Sequence, residues 1–155
     1  MKKSLFLAFA MVCAVVLASC SKKDSNDEPG YQLVGSWMLS NTKANVGGLF
    51  DMPLSLSQIT LNADKTGSIA YTNLAGTAET AHFAWELNGD KVVLNDPKGE
   101  LSGLFTDATI PTPVVFEIKN YTDRGFDISS TINAKFNGND VVIVITGRCD
   151  KSAEE

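Results

Sequence analysis

The sequence predicts an all-β protein: about eight antiparallel strands in one up-and-down barrel. Three observations carry this. Short runs alternate apolar and polar residues with period two, and their apolar positions are rich in β-branched and aromatic side chains. No long segment has a helical period. Asn-Gly and Asp/Gly clusters separate the runs at hairpin spacing. A sheet of this size with one apolar face must hide that face. Closing on itself does so and removes both edges. A two-sheet β-sandwich is the competing arrangement.

Taken in order, the chain opens with targeting sequence. A basic start, Met1-Lys2-Lys3, precedes an unbroken apolar run from Leu5 to Leu17. That run fits a signal-peptide core and is too short for a bilayer span of roughly 20 residues. It finishes Leu17-Ala18-Ser19-Cys20, which resembles the bacterial lipobox. The resemblance implies removal of residues 1–19. It also implies acylation of Cys20, whose thiol is the nucleophile that accepts the lipid, with chains such as palmitate. At about 0.8 kcal/mol per buried CH₂, two or three chains hold a protein on a membrane without a spanning segment.

Ser21 stands where an aspartate would resemble the inner-membrane retention signal of enteric bacteria, so the outer membrane is expected. Residues 20–30 read as a lipidated flexible tether, since SKKDSNDEPG holds no apolar residue to offset its ordering entropy. Its Asp24, Asp27 and Glu28 resemble the tag that sends Bacteroidetes lipoproteins to the cell surface; a solvated linker explains them equally. The expected location is the cell envelope, with the lipid anchor making the membrane contact.

Residues 31–149 form the predicted barrel domain, and 150–155 a polar tail. Tyr31 to Ser40 puts Leu33, Gly35, Trp37 and Leu39 on one face. Gln58 to Asn62 alternates around Ile59 and Leu61, and Gly67 to Thr72 pairs Ile69 with Tyr71. In Ala81 to Asn88, Phe83, Trp85 and Leu87 face one way and His82, Ala84 and Glu86 the other. Asp90 to Asp96 pairs Val92 with Leu94. Val114 to Tyr121 aligns Val114, Phe116 and Ile118. Gly125 to Asn133 aligns Phe126, Ile128 and Ile132. Asp140 to Arg148 is apolar on both faces. Turns are expected at Asn62–Gly67, Asn88–Asp90, Thr122–Gly125 and Asn137–Asp140.

Two connections, Asn41 to Ser57 and Pro97 to Pro113, are long, and long loops in compact domains tend to be functional. Each carries Gly-Leu-Phe with an aspartate just after, placing Leu49, Phe50, Leu104 and Phe105 at one barrel end as lids or plugs. Of the inward aromatics, Phe83, Trp85 and Phe116 are candidate lining residues or plain core. Eight strands leave an interior just wide enough to be filled or to hold one small ligand.

Several motifs resemble the lipocalin-like domains common in Bacteroidetes lipoproteins. Leu33-Val34-Gly35-Ser36-Trp37 resembles the lipocalin G-x-W. Ile59 to Gly67 resembles the second-strand turn, and Phe83 to Leu94 the central hairpin. Thr122-Asp123 matches half of T-D-Y, with Arg124 replacing the tyrosine. The resemblance implies that Gly35 permits close approach and that Trp37 crosses the closed barrel end. It further implies that Arg148 stacks over Trp37, which contributes about 1 kcal/mol. It implies a binding module for a small apolar or amphipathic molecule. The alternative is a structural lipoprotein with a filled barrel that contacts another envelope component.

Composition narrows the rest. Losing Lys2 and Lys3 with the signal leaves 11 basic against 18 acidic residues, a net charge of −7. Such a chain, without a basic patch, does not suit nucleic acid. Cys13 leaves with the signal and Cys20 is lipidated, so Cys149 has no partner for a disulfide. No Cys/His spacing points to zinc, and no Gly-rich strand-to-helix loop to phosphate. His82 lies on the outward face, and Asp51, Glu86, Asp107 and Glu117 are scattered. No catalytic residue, cofactor or metal is therefore expected.

Overall fold

The computed structural model describes residues 30–105 and 108–153. The signal segment, Cys20, most of the tether and Asp107 lie outside those residues. Gln32–Glu155 forms one compact unit. Ten strands occur in it: β1 Gly35–Val46, β2 Phe50–Pro53, β3 Leu56–Leu61, β4 Thr66–Thr72, β5 Ala78–Asn88, β6 Lys91–Asn95, β7 Ala108–Thr109, β8 Val114–Lys119, β9 Gly125–Phe136 and β10 Asn139–Lys151. Among the described residues the one helical piece is a 3₁₀ turn, Glu100–Leu104.

Eight strands close the barrel in the order β1, β3, β4, β5, β6, β8, β9, β10, and β10 pairs back onto β1. Every pairing is antiparallel, so the fold is the predicted up-and-down barrel and not the sandwich. Closure satisfies the edge backbone groups that an open sheet of this size leaves bare. One of the two tightest connections follows from residue type. Phe136 pairs with Asn139, and the two residues between them, Asn137 (φ 49°) and Gly138 (φ 80°), supply the paired positive φ of a type I′ turn.

The Asn41–Ser57 segment departs from the expected loop. β1 runs on to Val46 and folds back as β2, Lys43 pairing with Pro53 and Val46 with Phe50. The cause is a bulge. Ser40 faces Arg148 but Lys43 faces Thr146, so β1 carries one extra residue, with Asn41 at φ 51°. The bulge reverses parity: Trp37 and Leu39 point inward before it, Thr42 and Ala44 after it. A strict alternation therefore stops at Ser40 while the strand does not. A second bulge between Leu56 and Gln58 restores the odd positions Ile59 and Leu61 to the interior.

The predicted tail also begins too early. β10 extends to Lys151, whose N–H donates to the Arg124 carbonyl at 2.7 Å, and Ser152 N–H reaches the Ser36 carbonyl at 3.1 Å. Polar side chains hid this pairing, because ladder bonds are made by the backbone.

The core fills the barrel from its closed end. Trp37, Leu61, Phe83, Trp85, Leu94, Ile118, Phe126, Ile143 and Ile145 are all buried. Each such side chain contributes roughly 1.5–3 kcal/mol of transfer free energy.

Candidate functional site

The two ends of the barrel differ in construction. At the closed end, the Trp37 indole N–H donates to the Leu33 carbonyl at 2.8 Å. Phe126 meets its ring edge-on, with centroids 4.9 Å apart. Arg148 directs its guanidinium to two carboxylates, Asp127 at 3.1 Å and Asp150 at 3.0 Å. The resemblance had set Arg148 over Trp37; the ring seated there is that of Phe126. Hydrogen bonding to Asp127, then to Asp150, raises the Arg148 pKa. Asn120 first and Arg148 second hold the Asp127 carboxyl below its usual range. Gly35 does not serve a close approach, since a Cβ there would meet nothing within 4 Å; its φ of 135° lies in the left-handed half of φ space that glycine enters freely.

Phe83 and Trp85 belong to this half as well. The Trp85 N–H donates to the Asn62 carbonyl at 3.1 Å, and the Lys65 ammonium sits 4.2 Å above its ring. Both side chains are core and neither lines the mouth. Cys149 is buried against the same end. Desolvation pushes its thiol up to about 12, which leaves it protonated and unreactive at neutral pH.

The open end is formed by the β1–β2 and β9–β10 hairpins, the loop after β4, and the segment between β6 and β8. That segment turns inward. Leu101 and Phe105 are buried, so Glu100–Phe105 acts as a plug rather than a lid. Three contacts pin it. Asp96, itself buried, accepts the Leu101 N–H at 2.7 Å. Glu100 accepts both the His82 backbone N–H at 2.7 Å and a bond with the His82 ring nitrogen at 3.0 Å. Gly103 lies so close to the Tyr71 hydroxyl that a Cβ there would collide with it. Tyr71 donates to Glu79 at 2.7 Å, and burial, reinforced by Glu79, pushes its pKa up to about 12.

Beneath the plug the interior is nearly solid. A void of about 20 Å³, room for one water, lies among Leu104, Phe105, Phe116 and their neighbours. Of the two interiors expected, filled or holding one small ligand, the barrel has the filled one, because the plug's side chains occupy it. Above the plug a pocket of about 480 Å³ opens at the mouth. Its lining is Val46, Gly47, Leu49, Phe50 and Met52 from the first hairpin, Leu74, Phe105 as floor, and Phe136 to Ile143 from the last hairpin. Leu49, Phe50 and Phe105 thus converge on it, while Leu104 and Phe116 line the void below. Leu49 is 85% exposed and Leu74 72%, unusual for leucines unless they form a contact surface. A wider hollow of about 630 Å³ by Ser68, His82 and Lys98 is more open than the mouth pocket and has a larger polar share in its wall, so it offers less to an apolar molecule.

Sequence reading did not find Met52, Leu74, Phe136 or Val141 as lining residues. Leu74, an isolated leucine in a polar turn, was the one visible signal. Asp51 is held low by bonds from Asn45 and Lys43 on the outer side of its hairpin, and Glu117 lies 3.7 Å from Lys119. Among the described residues no three His, Cys, Asp or Glu side chains gather as a metal site would require.

No family profile matches the chain, and no curated protein matches it. Solved structures do. An uncharacterized protein from Bacteroides eggerthii aligns over 74% of this chain and 98% of its own, at 13% identity and a TM-score of 0.45. Bovine odorant binding protein, complexed with its natural ligand, aligns over 84% and 78%, at 12% identity and a TM-score of 0.47. The same bovine protein with a selenium-containing odorant aligns over 84% and 80%, at 14% identity and 0.45. The chain's own strand order and closure define the fold: an eight-stranded antiparallel up-and-down barrel, plugged below its mouth.

Proposed function

We propose that the protein is a non-enzymatic envelope lipoprotein that holds one small apolar or amphipathic molecule in the mouth of its barrel. The observation that carries this is the pocket itself. Its 480 Å³ falls within the roughly 300–1,000 Å³ of small-molecule sites, and its wall is apolar apart from one hairpin. The exposed leucines and phenylalanines around it have no structural need to be apolar. The anchor rests on the lipobox-like sequence before Cys20, with the outer membrane, and its surface, as the expected place.

A second reading draws on the nearly filled interior: the apolar rim meets another envelope component and no small molecule enters. Native mass spectrometry of the membrane-extracted protein tests both parts. The mature mass carries acyl chains that Cys20→Ala removes. A co-purified small molecule leaves in Phe50→Asp and in Leu74→Asp, with the fold intact by circular dichroism. A ligand retained in both variants refutes the mouth site, and an unacylated wild-type chain refutes the anchor.

A further inference from the structure

We propose that the mouth pocket selects uncharged amphiphiles, molecules with a hydrocarbon body and one hydroxyl, ester or amide group, and discriminates against fatty acids. This rests on the mouth pocket being the binding site and adds what it takes.

The argument starts from where polarity lies in the wall. Among the described lining residues there is no lysine, arginine or histidine. The polar side chains are Asn137, Asn139 and Asp140, all from the β9–β10 hairpin, and the remaining walls and floor are apolar. The pocket therefore offers one polar edge, built mainly of amides. An amide donates and accepts, so it matches a hydroxyl or a carbonyl without needing a counter-charge.

A carboxylate head meets different conditions. Brought to this edge it loses water and gains no cation, and an ion moved out of water without a partner is far costlier than a neutral polar group. The one formal charge on the wall, Asp140, has the wrong sign. The nearest cation is Lys135, whose ammonium is 3.0 Å from Asp140 and already matched by it. Lys43, across the mouth, is likewise held by Asp51 at 3.2 Å. The hydrocarbon part gains equally for acid and alcohol, so the head group decides between them.

Displacement of the neutral fluorophore N-phenyl-1-naphthylamine from the full chain at pH 8 tests this, with dodecan-1-ol and dodecanoate as competitors. Dodecan-1-ol is expected to displace the probe at a concentration at least tenfold below that of dodecanoate. In Asp140→Lys, whose side chain is 89% exposed, the potency of dodecanoate relative to dodecan-1-ol is expected to rise at least threefold. Equal potency of the two competitors in the unmodified protein overturns the inference, as does an Asp140→Lys protein with an unaltered ratio; both leave the binding site standing. Failure of the probe and of both competitors to bind overturns the site itself.

Discussion

The closed and open ends of this barrel are built from the same kinds of residue and use them in opposite ways. At the closed end the large rings are packed away: Trp37 against Phe126, Phe83 and Trp85 within the core, and Arg148 clasped by Asp127 and Asp150 above. At the open end Leu49, Phe50, Leu74 and Phe136 stand exposed around a cavity, and the buried residues beneath them come from a plug with little regular structure. Stability is concentrated at one end and unmet apolar surface at the other. Binding surfaces are drawn from the less stable parts of a fold because they must stay accessible.

The comparison is sharpest where it is easiest to break. Trp37→Ala removes the closed end's central ring, and the expected loss is about 4–5 kcal/mol, read from urea unfolding midpoints. A loss under about 2 kcal/mol would mean that the closed end is not the anchor of the fold. Phe105→Ala cuts the plug's floor ring. The expected cost is smaller, about 3 kcal/mol, because one side of that ring already borders the pocket. Unlike the first variant it joins the void below to the pocket above, so bulkier apolar probes gain affinity by fluorescence titration.

The smallest effect concerns pH. The His82 backbone N–H first, then its ring, hold the Glu100 carboxyl below its ordinary 4.5. A depressed carboxylate stabilises the folded state above its unfolded pKa and loses that contribution as pH falls through the folded value. The plug is therefore expected to loosen as pH falls below 4.5, seen as lower amide-exchange protection over Leu101–Phe105. Glu100→Gln is expected to loosen it slightly at neutral pH and to abolish the acid dependence.

Much of the fold was legible in the residues. Seven of the eight barrel strands were marked by alternation and β10 by an apolar run, and Asn137-Gly138 announced its turn, because these signals are local. What escaped was non-local. The β1 bulge at Asn41 concealed six further strand residues by reversing their parity. The polar end of β10 pairs through backbone that no side chain advertises. Both Gly-Leu-Phe segments lie at the open end of the barrel. Their roles diverged, since Leu49 and Phe50 rim a pocket while Leu104 turns to the void beneath it. His82 was rightly placed on the outer face, yet its bond to Glu100, 18 residues away, makes it a clasp on the plug.

By itself, then, the sequence determined the class: alternating strands and tight turns whose shared apolar face must be enclosed. The tertiary structure alone decided where empty space remains. That depends on whether Leu101 and Phe105 turn into the barrel or away from it. No periodicity encodes this choice, which is set by packing volume and by contacts with Tyr71, His82 and Asp96 from distant strands.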